Sequence, residues 1–123
     1  MDRHDHVGRD PCVKERCRSA HTQGYLEELT EAYLPAGINR KDPRVSPLYA
    51  ELRGLPPMLI QVGSAETLLD DAVRLAARAG AAETAVTLEI WPRMIHAWPL
   101  WNARLEEGRL ALGNAGAFMR RFL

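Results

Sequence analysis

The 123-residue sequence has little of what marks secreted, membrane-spanning or nucleic-acid-binding chains. Two cysteines, Cys12 and Cys17, are too few for a disulfide framework, so reduced thiols are the simpler expectation. The longest apolar runs, such as LPPMLIQV at 55–62, fall far short of the ~20 residues that cross a bilayer as a helix. The opening MDRHDHVGRD is polar and charged. It lacks the apolar core of a secretory signal, and a cytoplasmic location is the expectation. Sixteen basic residues balance sixteen acidic ones, leaving no net field to recruit nucleic acid or anionic lipid. With 46% hydrophobic and 26% charged residues, the chain has ordinary globular composition and is long enough for one domain.

Two parts are expected. Residues 1–24 crowd charges of both signs, three histidines and both cysteines together with almost no aliphatic residues. This stretch shows no helical or strand period and reads as a flexible polar tail. His4, His6, Cys12, Cys17 and His21 have the residue types of zinc ligands, but their spacing fits no tight structural knuckle. From Tyr25 the pattern becomes regular. Leu26, Leu29 and Tyr33 share one face of a short helix that Pro35 and Gly37 stop. KDPRVSPLY at 41–49 reads as an extended loop. MLIQV at 58–62, after Pro56-Pro57, predicts a strand buried on both faces.

Leu69, Ala72, Val73 and Ala76 then repeat at helical spacing over about 68–79. Thr67 and Asp70 stand in a capping-box relation at the start, and Gly80 is the expected stop. VTLEIW at 86–91 alternates, as a strand with one less buried face does. A last helix is expected over about 103–122, with Ala111, Ala115, Phe118, Met119 and Phe122 inward. The order is helix, strand, helix, strand, helix, which predicts an α/β class with parallel strands. Two strands do not complete a parallel sheet, so residues 25–123 read as part of a larger α/β domain.

In open α/β sheets reactive groups gather beyond the carboxyl ends of strands. Glu66 follows the first strand and His96, in WPRMIHAWPLW, follows the second. Each has an ordinary structural alternative. A carboxylate before a helix can simply complement its dipole, and a histidine among Trp91, Trp98 and Trp101 can be packed core. As a pair, an acid could orient the imidazole and leave its other nitrogen as a general base.

The order acid then histidine, with DPRVSPLYAELRGLPPMLIQVGSAETLLDDAVRLAARA and VTLEIWPRMIHAWPLW, resembles the C-terminal part of hormone-sensitive-lipase-like esterases, the α/β-hydrolase fold-3 group. The resemblance runs over about residues 25–123. It places Glu66 at the triad acid, Asp70 at the family's second acidic residue and His96 at the triad histidine. Ala65 stands where many relatives have Asp, and Arg93–Ile95 replace a common glycine-containing approach to the histidine. Nothing in the chain matches the G-x-S-x-G nucleophile elbow or the HGG-type oxyanion loop; Ser19, Ser46 and Ser64 all lack the elbow context.

The resemblance implies carboxylic ester hydrolysis without a cofactor, with Glu66 and His96 as two members of a Ser-Glu-His triad. It implies little turnover by this chain alone and a small ester as substrate once an N-terminal half complements it. Trp98 and Trp101 are expected to pack the loop or line an acyl pocket. The competing expectation is a non-catalytic structural module, a homodimer through the last strand and helix being one form.

Overall fold

The computed structural model describes residues 20–122, and the side chains of 24–122. Most of the segment assigned to a polar tail, with its Cys and His residues, therefore lies outside the described side chains. The chain divides into two compact units, Met1–Asn39 and Arg40–Leu123. In the first, helix α1 spans Ala20–Tyr33, so it begins ahead of the expected start at Tyr25. Within it Thr30 Oγ1 donates to the Leu26 carbonyl (2.7 Å). Beyond it, Gly37 adopts φ +84°, the left-handed region that glycine enters without steric cost.

The second unit contains β1 (Met58–Gly63), α2 (Leu69–Ala81), β2 (Val86–Trp91) and α3 (Glu106–Met119). Short 3-10 turns lie at Pro47–Tyr49 and Trp98–Trp101. The α/β class and the incomplete sheet are as expected: β1 and β2 pair in parallel, from Met58 opposite Val86 to Gly63 opposite Trp91. This register puts the two strand ends, and the loops that leave them, side by side.

The sheet faces differ in chemistry. Met58, Ile60 and Val62 share one face with Val86, Leu88 and Ile90. Helix α2 covers part of it, leaving Ile90 exposed, and a Cβ on Gly80 would stand 3.9 Å from Val86 Cγ1. Ala76 and Ala79, buried on α2, are small enough to let the helix lie close. The other face carries Gln61 and Glu89, opposite each other across the strands. Gln61 Nε2 donates to Glu89 (2.9 Å) and to the Ala111 carbonyl of α3 (2.8 Å). Trp91 Nε1 (3.1 Å) and Asn114 Nδ2 (3.0 Å) also donate to Glu89. A half-buried carboxylate thus gains neutral donors from β1, β2 and α3, as a buried polar group requires.

Several boundaries differ from expectation for local reasons. Thr67 does not cap α2: the preceding residue is Leu68, with no side-chain cap, and Asp70 and Asp71 supply the favourable charge in the first turn. Gly80 does not end the helix. The reversal falls at Glu83, φ +61°, where the Glu83 and Thr84 N–H groups donate to the Gly80 and Ala79 carbonyls. Helix α3 starts at Glu106 rather than near Ala103, because 98–104 form the 3-10 turn and the turn after it. Gly108 allows that approach: a Cβ there would stand 3.0 Å from Asn102 Cα and 3.2 Å from the Trp98 carbonyl.

Strand β1 is not buried on both faces along its length. Val62 and Gly63 are buried and the rest is half-buried, as a strand with one partner would be. Met119 and Phe122, expected inward, are exposed, while Ala111 is fully buried.

Candidate active site

The ends of β1 and β2 are stitched together residue by residue. The Ser64 N–H donates to the Trp91 carbonyl (2.9 Å) and the Ala65 N–H to the Met94 carbonyl (3.1 Å). The Arg93 N–H donates to Ser64 Oγ (2.7 Å). Gly63 permits this approach because a Cβ there would collide with the Met94 carbonyl. Ser64 is thus part of the acid turn. The loop after β2 bends through two left-handed residues that are not glycine, Arg93 (φ 62°) and Ala97 (φ 56°). Each such conformation costs an L-residue roughly 1–2 kcal/mol.

These turns bring Glu66 and His96 together. His96 Nδ1 lies 3.7 Å from Glu66 Oε2, within ion-pair reach and longer than a closed hydrogen bond. The environments are unequal: the Glu66 side chain is 7% exposed and that of His96 is 70% exposed. His96 is therefore not a packed core residue. Its Nδ1 faces a sheltered carboxylate, and Nε2 lies across the ring. Asp70 lies in the first turn of α2, where it complements the helix dipole.

Of the tryptophans, Trp98 is 2% exposed and packs 5.9 Å from the Trp91 ring. Its Nε1 is buried without a hydrogen-bond partner. Trp101, expected to pack the loop or line a pocket, is 59% exposed at the end of the 3-10 turn.

A cavity of about 730 Å³ opens beside the pair. Ile60, Val62, Leu75 and Trp98 give it apolar walls, Glu66 and His96 lie in its lining, and Ser46–Tyr49 close one side. The D-P-R-V-S-P segment shapes that side through its own hydrogen bonds. Asp42 Oδ1 accepts the Arg44 N–H (2.9 Å) and Nε (3.0 Å), and Oδ2 accepts Nη2 (2.8 Å). The Val45 and Ser46 N–H groups both donate to the Asp42 carbonyl (2.8 Å each). Hydrogen bonds from the Arg44 side chain, then from its backbone, hold the Asp42 carboxyl down at about 2.

Among the described residues no group of three His, Cys, Asp or Glu side chains converges to hold a metal, and no helix is long and apolar enough to cross a membrane.

The sequence pattern pointed to Glu66 and His96. It did not reveal the Ser64 clamp, the close approach at Gly63 or the Gln61–Glu89 network. A glycine followed by a hydroxyl residue at a strand end, and a polar residue inside MLIQV, were the available signals.

Comparison with known proteins agrees with this architecture. The family model described as alpha/beta hydrolase fold matches residues 6–100, reaching upstream of the 25–123 span that carried the resemblance. An acetyl-hydrolase of Streptomyces hygroscopicus is 50% identical over 95 residues, covering 77% of this chain and 31% of that protein. An esterase of Acinetobacter venetianus is 42% identical over 93 residues, covering 76% of this chain and 31% of its own. Among solved structures, an esterase/lipase from an uncultured bacterium superposes with a TM-score of 0.78 at 38% identity, over 89% of this chain and 39% of that one. A hormone-sensitive lipase from a metagenome library superposes with a TM-score of 0.69 at 41% identity, over 72% and 30%. The chain belongs to the α/β-hydrolase fold family. Its relatives within that family are hormone-sensitive-lipase-like esterases, and it spans about a third of the length of the curated relatives it matches.

Proposed function

We propose that this chain carries the acid and histidine of a carboxylic ester hydrolase, with Glu66 and His96 serving a serine supplied by the preceding part of the fold. The observation that carries the reading is the Nδ1-to-carboxylate geometry at 3.7 Å, with a sheltered acid and an exposed imidazole. Catalytic hydrogen bonds are often long in the free state and close with substrate bound. In the reaction His96 Nε2 accepts the serine proton as the oxygen attacks the ester carbonyl. It then returns that proton to the leaving alcohol, while Glu66 fixes the tautomer and stabilises the imidazolium. A small ester fits an apolar cavity of this size. The reaction asks for no cofactor, and a chain with two cysteines and no disulfide framework suits a cytoplasmic setting for it.

Because triad members act as a unit, this chain alone is expected to give no turnover above background. The test is hydrolysis of p-nitrophenyl acetate by the chain alone and after addition of an N-terminal half bearing a G-x-S-x-G elbow. Turnover should appear only in the mixture and fall on the order of 10⁴-fold or more in His96→Ala. Turnover by the chain alone, or a mixture insensitive to His96→Ala, would refute the reading.

Exposed apolar side chains on β2 and α3 support a second one, a dimerising structural module. Ile90 is 47%, Leu110 51% and Met119 58% exposed. Sedimentation equilibrium of the chain, with Ile90→Lys as the disrupting variant, decides whether β2 and α3 form a self-association face.

A further inference from the structure

We infer that Ser64 is a positioning residue for the Glu66–His96 pair: by accepting the Arg93 N–H, its hydroxyl holds the histidine loop so that Nδ1 faces the acid. The inference rests on the proposed pairing of these two residues and adds the element that maintains it. The His96 side chain is 70% exposed, so packing does not fix the direction of its ring. That direction follows from the backbone of residues 92–97, which turns at left-handed Arg93 and again at left-handed Ala97. A bulky residue keeps such a conformation where its surroundings anchor it.

At Arg93 the anchor is the 2.7 Å bond to Ser64 Oγ. The neighbouring stitches, from Ser64 N–H to the Trp91 carbonyl and from Ala65 N–H to the Met94 carbonyl, are backbone bonds that do not involve the Ser64 side chain. Ser64 Oγ is therefore the side-chain atom through which the acid turn grips the histidine loop. Two residues beyond Ser64 stands Glu66, and three beyond Arg93 stands His96, so the clamp joins the two segments just ahead of both functional groups.

The test reads the tautomer of His96, which a serine with a merely structural role would leave alone. Long-range ¹H–¹⁵N correlation spectra of the full chain are recorded above the imidazole titration range, with the His96 signals assigned by their loss in His96→Gln. The wild type should show a larger Nδ1–H share than a free histidine, and Glu66→Ala should abolish that excess. Ser64→Ala should also lose the excess while circular dichroism stays unchanged, and Ser64→Thr, which keeps the acceptor, should retain it. Adding Ser64→Ala to Glu66→Ala should change nothing further.

If Ser64→Ala does not fold, Ser64→Cys, similar in size but a poorer acceptor, must lose the excess instead. A wild-type Nδ1–H share in folded Ser64→Ala or Ser64→Cys overturns the positioning role alone. No excess in the wild type, or an excess that survives Glu66→Ala, overturns the pairing itself and the positioning role with it.

Discussion

Replacing Gly63 by alanine should be among the most damaging single-methyl changes in the chain. The added Cβ would stand 2.6 Å from the Met94 carbonyl carbon, closer still to its oxygen, and 3.3 Å from the Ile95 oxygen. All of these are backbone atoms, so no flexible side chain can swing aside. Ordinary contact between such atoms is about 3.5–4.0 Å, which requires the histidine loop to retreat by more than about 1 Å. That movement takes the 3.1 Å bond from Ala65 N–H to the Met94 carbonyl out of range.

Overpacking of this kind costs about 1–3 kcal/mol and the lost bond about 0.5–1.5 kcal/mol. The reduced freedom of the unfolded chain offsets about 0.4–1 kcal/mol. The net loss is roughly 0.5–4 kcal/mol, set against the 5–15 kcal/mol typical of a domain. Gly113→Ala is the matched control. Nothing lies within 4 Å of its added Cβ, and it sits inside α3, where alanine is favoured by about 0.5–1 kcal/mol. Urea unfolding followed by tryptophan fluorescence should therefore move the two midpoints in opposite directions. A Gly63→Ala midpoint equal to wild type, or both variants shifting the same way, would refute the close-approach account.

Three further outcomes follow from the geometry. Ala97→Gly relieves a left-handed residue beside His96 and should raise the thermal midpoint by the equivalent of up to roughly 1.5 kcal/mol, the backbone relief less glycine's chain entropy. Gln61→Leu removes a donor from Glu89 and a second donor from the Ala111 carbonyl, and should cost about 1–3 kcal/mol in denaturant titration. Asp42 has its carboxyl lowered from 3.8 to about 2 by Arg44, so its stabilising effect is complete above the unfolded value and fades as pH falls through about 2. The stability gap between wild type and Asp42→Asn should accordingly shrink across that acid window in pH-dependent thermal melts.

What the sequence made legible follows from which forces act locally. The apolar run at 58–62 and the alternation at 86–91 marked both strands, because side-chain period reports directly on a pleated backbone. Glu66 and His96 were legible because parallel strands deliver their following loops to one edge. The missed features depend on contacts between segments far apart in the chain. Gly80 looked like a helix stop, yet α2 runs on to Ala81 and the reversal waits for Glu83. The alternation at 86–91 marked one face of the strand as less buried; on that face Glu89 bonds to Gln61 and Asn114, which turns it toward α3. Trp101 shares its sequence surroundings with Trp98, and only the 3-10 turn separates a buried ring from an exposed one.

The bonds that set the distance between Glu66 and His96 all lie within residues 63–97. They are the Gly63 approach, the two backbone stitches, the Ser64 clamp and the left-handed bends at Arg93 and Ala97. The alignment of acid and histidine is therefore a property of the β1–α2–β2 unit and does not wait for a serine to organise it. A serine-bearing half that docked on this unit would meet an imidazole already facing its carboxylate, so the ordering entropy of those two loops is spent in folding rather than in catalysis. The exposure of His96 fits this division of labour. The carboxylate beside the ring is sheltered by this chain, and under the proposed function the other ring nitrogen is the one left for a group that approaches from outside it.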